Sequence, residues 1–390
     1  MSRPVKKVPM YKQIQQYVLD EMKKQNWKAD HKLPSESELS ALFRVSRLTV
    51  KNALDDFIEQ GFIYRIQGKG SYISPHYAGE SFVFRDVSGQ ERHERPKLVA
   101  CLLPTAFSTR MLNLLNGIEE ELARLGFRLL FCKTNGSRDM EKKVIEEVLK
   151  LQVAGVIIYP VEGDAYSEEV LRLTLDHFPL VVIDRYLRGL DLNCVVSDNF
   201  LGARSAVEHL IQLGHSCIGF LSPPHRGVSS IEDRLAGYES ALADHGVPVE
   251  HRLRDSHLVM GDVNCIMHTG RCDDEVKKGL QTFLKKNSDM TAIFAVNTGI
   301  GLNVIQVAEE MGLRIPEQLS VVFFDDYELS GFSRIPPTCV VQHEYELGKI
   351  AAGLIVSVIE DPMQERRKME VPTELIVRQS TAPRSRQISK

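Results

Sequence analysis

The 390-residue sequence has no apolar run that approaches membrane-spanning length, and its cationic N-terminus lacks the apolar core of a signal peptide. Its seven cysteines are odd in number and scattered, which is typical of reduced thiols and not of a disulfide framework. These absences argue against a membrane-embedded protein and against a secreted disulfide-rich scaffold. We therefore expect a cytoplasmic protein.

Recognisable catalytic and metal-binding motifs are also missing. No Gly-rich phosphate loop follows the first predicted strand of the larger domain, and no histidine or cysteine lies in a known triad motif. Cys265, His268 and Cys272 are close in sequence, but their spacing matches no standard zinc pattern. We expect no enzyme, no cofactor and no metal site.

The sequence does contain an uneven distribution of charge. Residues 1–75 carry 13 Lys and Arg against 8 Asp and Glu, whereas residues 76–390 carry 35 against 44. A basic module attached to an acidic body is typical of a DNA-binding protein whose larger part stays away from the phosphates. The length allows two or three domains.

The basic module contains signals for two short helices joined by a tight turn. Ser35 and Glu38 form a capping box at the start of the first helix, which we expect to end near Phe43. Ser46 is the expected cap of the second helix, and Gly61 follows its end. The buried face of this second helix is predicted to contain Val50, Ala53, Leu54, Phe57 and Ile58.

The opposite face of the second helix suits a recognition helix, which reads base edges in the major groove. This face carries Arg47, Leu48, Thr49, Lys51 and Asn52. Two β runs follow, residues 62–66 and 71–73, and the glycines on both sides of Lys69 permit a tight turn between them. With a supporting helix over residues 11–24, these elements predict a winged helix-turn-helix. The alternative is a helix-turn-helix used only for packing, which leaves the polar face without a purpose.

Residues 10–73 closely resemble the GntR-type DNA-binding domain, through Leu33-Pro-Ser-Glu36, Val45-Ser-Arg47 and Gln67-Gly-Lys-Gly70. The resemblance implies DNA contacts from the first helix, the recognition helix and a minor-groove wing. The expected DNA-binding residues are Glu36, Arg47, Leu48, Thr49, Lys51, Asn52, Gln67, Gly68, Lys69 and Gly70.

After an expected linker over residues 75–96, apolar strands alternate with helical segments as far as residue 384. This pattern predicts parallel sheets covered by helices on both faces, and the length favours two lobes with a cleft. We expect a winged-helix domain over residues 1–74 and an α/β effector and dimerisation domain over 97–384. The first lobe is expected to comprise residues 97–213 and 341–370, and the second 214–340 and 371–384.

Polar residues at the ends of the predicted strands are candidates for a ligand site, because ligands of such sheets bind beyond the carboxyl ends of the strands. Carboxylates, amides and arginines suit a polyhydroxyl ligand. The candidate effector-binding residues are Phe107, Tyr159, Asp184, Arg185, Arg234, Asn297, Asp325 and Gln342. For Asp198 and Asp326, a helix-capping role remains an alternative to ligand contact.

The larger domain resembles the LacI/GalR effector domain over residues 97–382. The motifs are Asp198-Asn-Phe-Leu-Gly202, His209–His215, Ile218–Ser222, Arg234–Tyr238, Ile315–Val321, Phe324-Asp-Asp326 and Glu374–Ser380. The resemblance implies a periplasmic-binding-protein-like fold used as a dimeric sugar sensor. Thr298 stands where that family usually has Asp, which leaves the identity of the sugar open.

The two resemblances together imply a sugar-responsive transcriptional repressor, with L-arabinose or a related pentose as effector, operator DNA as partner and a homodimer as the assembly. Two other classes of protein are less consistent with the sequence. A transporter's sugar-binding protein shares the fold of the larger domain, but it lacks a winged helix and needs a signal peptide. An enzyme needs a nucleophile beside the strand-end carboxylates, and the sequence offers none.

Overall fold

The computed structural model describes residues 14–15, 17–18, 20–21, 30–59, 63–66, 69–74, 97–105, 108–161, 167–223, 227–256, 262–327 and 330–384. The chain divides into two compact units, residues 1–92 and residues 93–390. Several sequence predictions lie outside the described residues: Gly61, Gln67, Gly68, the linker 75–96 and Phe107.

The first unit contains two helices and a hairpin in the predicted order. They are α1 (Glu36–Phe43), α2 (Arg47–Glu59), β1 (Ile63–Ile66) and β2 (Gly70–Ile73). The capping box is confirmed, since Ser35 Oγ accepts from the N–H of Glu38 and Glu38 accepts from the N–H of Ser35. Ser46 caps α2 by accepting from the N–H of Thr49 at 3.2 Å.

The core of this unit lies where the helical spacing predicts. Val50, Ala53, Leu54 and Phe57 on α2 are buried, and Ile58 is half-buried. They pack with apolar residues of the helical segment at 14–21, of α1 and of the hairpin: Ile14, Val18, Leu33, Leu39, Ile63 and Ile73. The fold of the basic module as a winged helix-turn-helix is therefore confirmed.

The second unit begins with a parallel six-stranded sheet, here called lobe 1. Its strands are β3 (Lys97–Leu103), β4 (Phe127–Lys133), β5 (Gly155–Ile158), β6 (Leu180–Ile183), β7 (Cys194–Ser197) and β13 (Lys368–Val371), in the order β13-β7-β6-β5-β3-β4. Its helices are α3 (Thr109–Arg124), α4 (Arg138–Lys150), α5 (Glu168–Leu175) and α11 (Glu344–Glu360). Along β3, alternate residues join apolar clusters on opposite faces of the sheet, which explains the continuous apolar sequence.

A second six-stranded sheet forms lobe 2. Its strands are β8 (Ile218–Leu221), β9 (Arg254–Asp255), β10 (Ala292–Ala295), β11 (Ser320–Phe324), β12 (Thr338–Val341) and β14 (Glu374–Ile376), in the order β14-β12-β11-β10-β8-β9. Only β14 runs antiparallel to its neighbour in this described sheet. The helices are α6 (Asn199–Gln212), α7 (Ser229–Asp244), α8 (Cys265–Thr269), α9 (Asp274–Lys286) and α10 (Thr298–Glu310).

The chain crosses between the lobes three times, after β7, after β12 and after β13. One expected boundary is wrong. Helix α6 was expected to close lobe 1, but Ala203, Ala206, Val207 and Leu210 of this helix belong to the core of lobe 2. The helix lies beyond the crossover, and its apolar face is covered by strands that come later in the chain.

Helices α3 and α11 approach closely in lobe 1, and this contact positions the start of each. A side chain at Gly117 would collide with the carbonyl of Tyr345, and one at Gly348 with the carbonyl of Leu114. Glycine at both positions allows the two backbones to touch. The consequence is that Arg110, near the start of α3, lies beside Glu344, at the start of α11.

Three findings concern the membrane-spanning runs, disulfides and metal-binding motifs that were not found in the sequence. None of the described helices is long and apolar enough to cross a membrane. All seven cysteines are described, and all are free thiols. Among the described residues, no three His, Cys, Asp or Glu side chains are arranged to hold a metal ion.

Candidate functional site

The candidate DNA-reading face lies at the start of α2. Arg47 and Lys51 are exposed there, and Thr49 is half-buried with its hydroxyl 2.9 Å from that of Ser46. The side chains of Leu48 and Asn52 lie outside the described residues. Two cations at the first turns of an exposed helix are placed as a recognition helix requires.

Glu36, at the start of α1, has a partner that the sequence did not suggest. Its Oε1 lies 2.9 Å from Nη2 of Arg65, on the first strand of the hairpin. Arg65 also lies 3.6 Å from Asp55 on α2. The ion pair ties the candidate contact residue Glu36 to the hairpin, so α1, α2 and the hairpin share one charge network.

The described part of the wing consists of Lys69 and Gly70, and both are exposed. Gly70 has φ +119°, a conformation that side chains rarely adopt, and its backbone passes close to Lys32. The N–H of Lys69 donates to the carbonyl of Ile66 at 3.0 Å, which closes the turn. Lys69 therefore stands at the tip of a tight hairpin.

In the second unit, five of the eight candidate effector residues come together at the cleft between the lobes. They are Tyr159, Asp184 and Arg185 from lobe 1, and Asp325 and Gln342 at the ends of lobe 2 strands. Asp184 and Asp325 both have a left-handed backbone, which turns each carboxylate away from its strand axis. Asp tolerates this conformation better than most residues.

Arg110, which the sequence analysis missed, lies at the centre of this group. Its Nη2 is 2.5 Å from Asp184 Oδ1, and its Nη1 is 3.3 Å from Asp325 Oδ2. Its Nε is 3.1 Å from Glu344 Oε1. The available signal was Ser108, which caps α3 directly after β3 and so places Arg110 at the carboxyl edge of the sheet.

Arg185 and Gln342 hold the remaining oxygens of the two aspartates. Arg185 Nη2 lies 3.4 Å from Asp184 Oδ2 and donates to the hydroxyl of Tyr159 at 3.0 Å. The amide of Gln342 donates to Asp325 Oδ1. Each aspartate is thus held by donors on both of its oxygens.

Burial and charge shift the pKa values in this group. Burial favours the neutral form of Asp184, but Arg110 and Arg185 outweigh it and lower its pKa. Burial raises the pKa of Glu344 despite the attraction of Arg110. Burial and the nearby Asp184 raise the pKa of Tyr159 to about 12, so this hydroxyl keeps its proton as a donor.

Arg234 lies in the second turn of α7, which begins at Ser229. Its Nε donates to Asn199 Oδ1 at 2.8 Å, and its Nη1 donates to the carbonyl of Val296 at 2.6 Å. The guanidinium also lies 3.8 Å above the ring of Phe324. In this structure two nitrogens of the Arg234 guanidinium and one of its faces are engaged within lobe 2.

Three further polar residues at strand ends serve as local supports. Asn297 caps α10 by accepting from the N–H of Ile300 at 2.9 Å. Asp198 caps α6 in the same way, which agrees with the helix-capping alternative to ligand contact for this residue. Asp326 forms an ion pair with Arg378 at 2.6 Å.

A second set of contacts joins the lobes at the rim of the cleft. Tyr186, just after β6, donates its backbone N–H to Ser229 Oγ at 3.0 Å and its hydroxyl to Asp233 at 3.0 Å. Arg188 lies 2.9 Å from Glu232. All three partners, Ser229, Asp233 and Glu232, are on α7 of lobe 2, so the lobes are in contact at the centre and at the rim.

Comparisons with known proteins agree with the two-part architecture. Residues 10–73 match the family described as bacterial regulatory proteins, gntR family, and residues 207–381 match a periplasmic binding protein-like domain. The chain is similar to the arabinose metabolism transcriptional repressor of Geobacillus stearothermophilus, with 29% identity over 96% of this chain and 98% of the relative. It is 27% identical to the repressor of the same name from Halalkalibacterium halodurans, over 90% of this chain and 91% of that protein.

The second unit also has the fold of solved regulators. A LacI family transcriptional regulator from Enterococcus faecium with bound ribose aligns with a TM-score of 0.59 and 24% identity, over 74% of this chain and all of that chain. The expected fold class and the expectation of a regulator instead of an enzyme are confirmed. The chain joins a domain that matches the gntR family to one that matches a periplasmic binding protein-like domain, and it is a transcriptional regulator.

Proposed function

We propose that the protein is a cytoplasmic repressor of sugar-utilisation genes that is released from its operator when a sugar binds between the lobes. The observation that carries the proposal is the group formed by the buried Asp184 and Asp325 with the half-buried Arg110 and Tyr159, at the carboxyl ends of strands from both lobes. Carboxylates and guanidinium groups held in fixed positions suit the paired hydroxyls of a sugar.

The charges of this group favour an uncharged sugar. Three arginines, Arg110, Arg185 and Arg234, stand with three carboxylates, those of Asp184, Asp325 and Glu344. A phosphorylated sugar would bring further negative charge next to carboxylates that already pair with Arg110 and Arg185. We infer that the effector is a neutral monosaccharide, with L-arabinose or a related pentose as the leading candidate because the relatives at 29% and 27% identity are arabinose repressors.

We further propose a homodimer that places two winged helices at the half-sites of a near-palindromic operator. The first helix contributes Glu36, the recognition helix Arg47, Leu48, Thr49, Lys51 and Asn52, and the wing residues 67–70 to the DNA contact. Sugar binding would favour an arrangement of the lobes whose winged helices no longer fit both half-sites. A ligand shifts this equilibrium only by its difference in affinity between the two states.

An electrophoretic mobility assay on the DNA upstream of the protein's own gene tests this proposal. The full chain should retard this DNA, and one of a panel of pentoses and hexoses should release it, while the matching sugar phosphate should not. Arg47→Ala is the control for specific DNA binding, and Asp184→Asn is the control for the sugar. If sugar tightens the binding of the protein to operator DNA, the alternative of an activator or co-repressed regulator is favoured. If only another carbohydrate releases the DNA, that carbohydrate replaces arabinose as the proposed effector.

A further inference from the structure

Arg110 occupies an unusual place between the two lobes. Its two terminal nitrogens contact different lobes, Asp184 of lobe 1 and Asp325 of lobe 2. Both aspartates are about 6% exposed, and the Arg110 side chain is 19% exposed. A single guanidinium therefore sets the spacing of two buried carboxylates that belong to different lobes.

The charges around Arg110 explain why this contact matters for the position of the lobes. Without its charge, Asp184 and Asp325 would face each other across the cleft, with Glu344 beside them. Like charges in a largely desolvated site repel strongly, and removing one partner of a buried ion pair leaves the other uncompensated. The remaining donors, Arg185 and Gln342, each contact the aspartate nearest to them and do not bridge the pair.

We propose that Arg110 is a positioning residue that holds the lobes together and presents the two aspartates to the effector at a fixed separation. The part of this proposal that concerns the sugar rests on the proposed function, whereas the contact between the lobes does not. A lysine at this position supplies one charge but lacks the planar fork that engages two carboxylates at once. Fixing two acceptors before the ligand arrives lowers the ordering cost of binding.

The rim of the cleft provides a reporter of lobe contact that needs no ligand. The backbone N–H of Tyr186 in lobe 1 donates to Ser229 Oγ in lobe 2, so this amide is protected only while the lobes touch. The N–H of Val182, which donates to the carbonyl of Asn193 within lobe 1, is the internal control. The two amides are four residues apart, yet only one depends on lobe 2.

The test is hydrogen exchange on the full chain without sugar, for the wild type, Arg110→Met and Arg110→Lys. The matched control is Arg124→Met, on the same helix, whose guanidinium pairs with Glu121 on the surface. We expect the Tyr186 amide to exchange at least about 10-fold faster in Arg110→Met, with a smaller effect in Arg110→Lys and none in Arg124→Met. The Val182 amide should exchange at the same rate in all four proteins.

A charge-relieving variant separates positioning from a general loss of stability. In Arg110→Met with Asp325→Asn, the repulsion across the cleft is reduced, so protection of Tyr186 should partly return. Unchanged exchange at Tyr186 in both Arg110 variants would overturn the proposal, as would equal acceleration at Tyr186 and Val182 in both.

Calorimetry with the sugar that releases the operator completes the test. We expect the affinity of Arg110→Met to fall by at least about 10-fold, with Arg124→Met unchanged. Equal affinity of the wild type and Arg110→Met would overturn the sugar half of the proposal. If no sugar binds the wild type, the proposed function fails, and the exchange experiment still decides the contact between the lobes.

Discussion

Asp184 and Asp325 hold matching positions in the two lobes and share one cation. Each directly follows a buried parallel strand, each has a left-handed backbone with φ of 71° and 70°, and each contacts Arg110. The two carboxylates thus belong to one electrostatic unit although they are far apart in sequence. Changes in this unit should alter stability, pH dependence and effector binding together.

Asp184→Asn and Glu344→Gln should change stability with opposite dependence on pH. The pKa of Asp184 is lowered from 3.8, so its ionised form stabilises the fold above that pH, and this contribution is lost as the pH falls through the folded-state pKa. The pKa of Glu344 is raised from 4.5, so the wild type loses stability as the pH rises from there through the folded-state value.

Thermal unfolding near pH 7 and near pH 4 measures the effect of Glu344, and a further measurement well below pH 3.8 measures that of Asp184. Asp184→Asn should be clearly destabilised near pH 7, and its deficit should shrink in acid. Glu344→Gln should be more stable than the wild type near pH 7 and equal to it in acid. If Glu344→Gln is instead less stable than the wild type near pH 7, the ion pair between Glu344 and Arg110 stabilises the wild type by more than the burial of the Glu344 carboxylate destabilises it.

Arg234→Ala should weaken lobe 2 as well as the response to sugar. The buried guanidinium donates to Asn199 and Val296 and stacks on Phe324, and its loss leaves two buried acceptors without a partner. Such a change costs at least about 2 kcal/mol of folding free energy. Urea unfolding measures the cost, with Arg252→Ala on the surface as the control.

The functional consequence of Arg234→Ala should be loss of induction without loss of repression. The variant should remain on operator DNA at sugar concentrations that release the wild type. Normal release by sugar, in a variant shown to be folded, would place the effector contacts elsewhere in the cleft.

Arg47→Ala should abolish specific binding to the operator while sugar binding is retained. An exposed arginine at the start of a recognition helix is placed to contact guanine O6 and N7, and one lost bidentate contact costs about 1–3 kcal/mol of discrimination. Lys69→Ala is the matched comparison at the tip of the wing. It should weaken binding to all sequences and flatten the salt dependence by about one unit of slope. Full operator affinity in Arg47→Ala would contradict the assignment of α2 as the recognition helix.

Glu36 and Arg65 should contribute to operator binding as a coupled pair. Their ion pair is exposed, so its effect on folding should be small, but it fixes the carboxylate at the edge of the DNA-facing surface. We expect the losses of operator affinity in Glu36→Gln and Arg65→Met to be non-additive in the double variant. Strictly additive losses, measured by fluorescence anisotropy, would show that the two side chains act on DNA independently.

The sequence predicted the elements and the strand-end residues because both are encoded locally. Asp184 and Asp325 follow apolar runs, and Ser35, Glu38 and Ser46 stand at helix starts with their usual spacing. These features depend on neighbours in sequence, so periodicity and capping rules are sufficient to find them.

What the sequence did not predict depends on contacts between distant segments. Arg110 became recognisable only when two lobes placed carboxylates on both of its terminal nitrogens. The assignment of α6 to the wrong lobe has the same origin, because the apolar face of α6 is covered by strands that come later in the chain. Asn297 illustrates the reverse case, since its place at a strand end suggested a ligand contact and its side chain caps a helix.

The central claim is that sugar and operator each weaken the binding of the other to this protein. Linkage requires that if the sugar weakens operator binding by some factor, the operator weakens sugar binding by the same factor, typically about 5- to 150-fold. The direct measurement is a pair of titrations of the full chain: operator affinity with and without saturating sugar, and sugar affinity with and without saturating operator. We predict equal reductions in the two titrations. Sugar that binds with the same affinity in the presence and absence of operator would contradict the account.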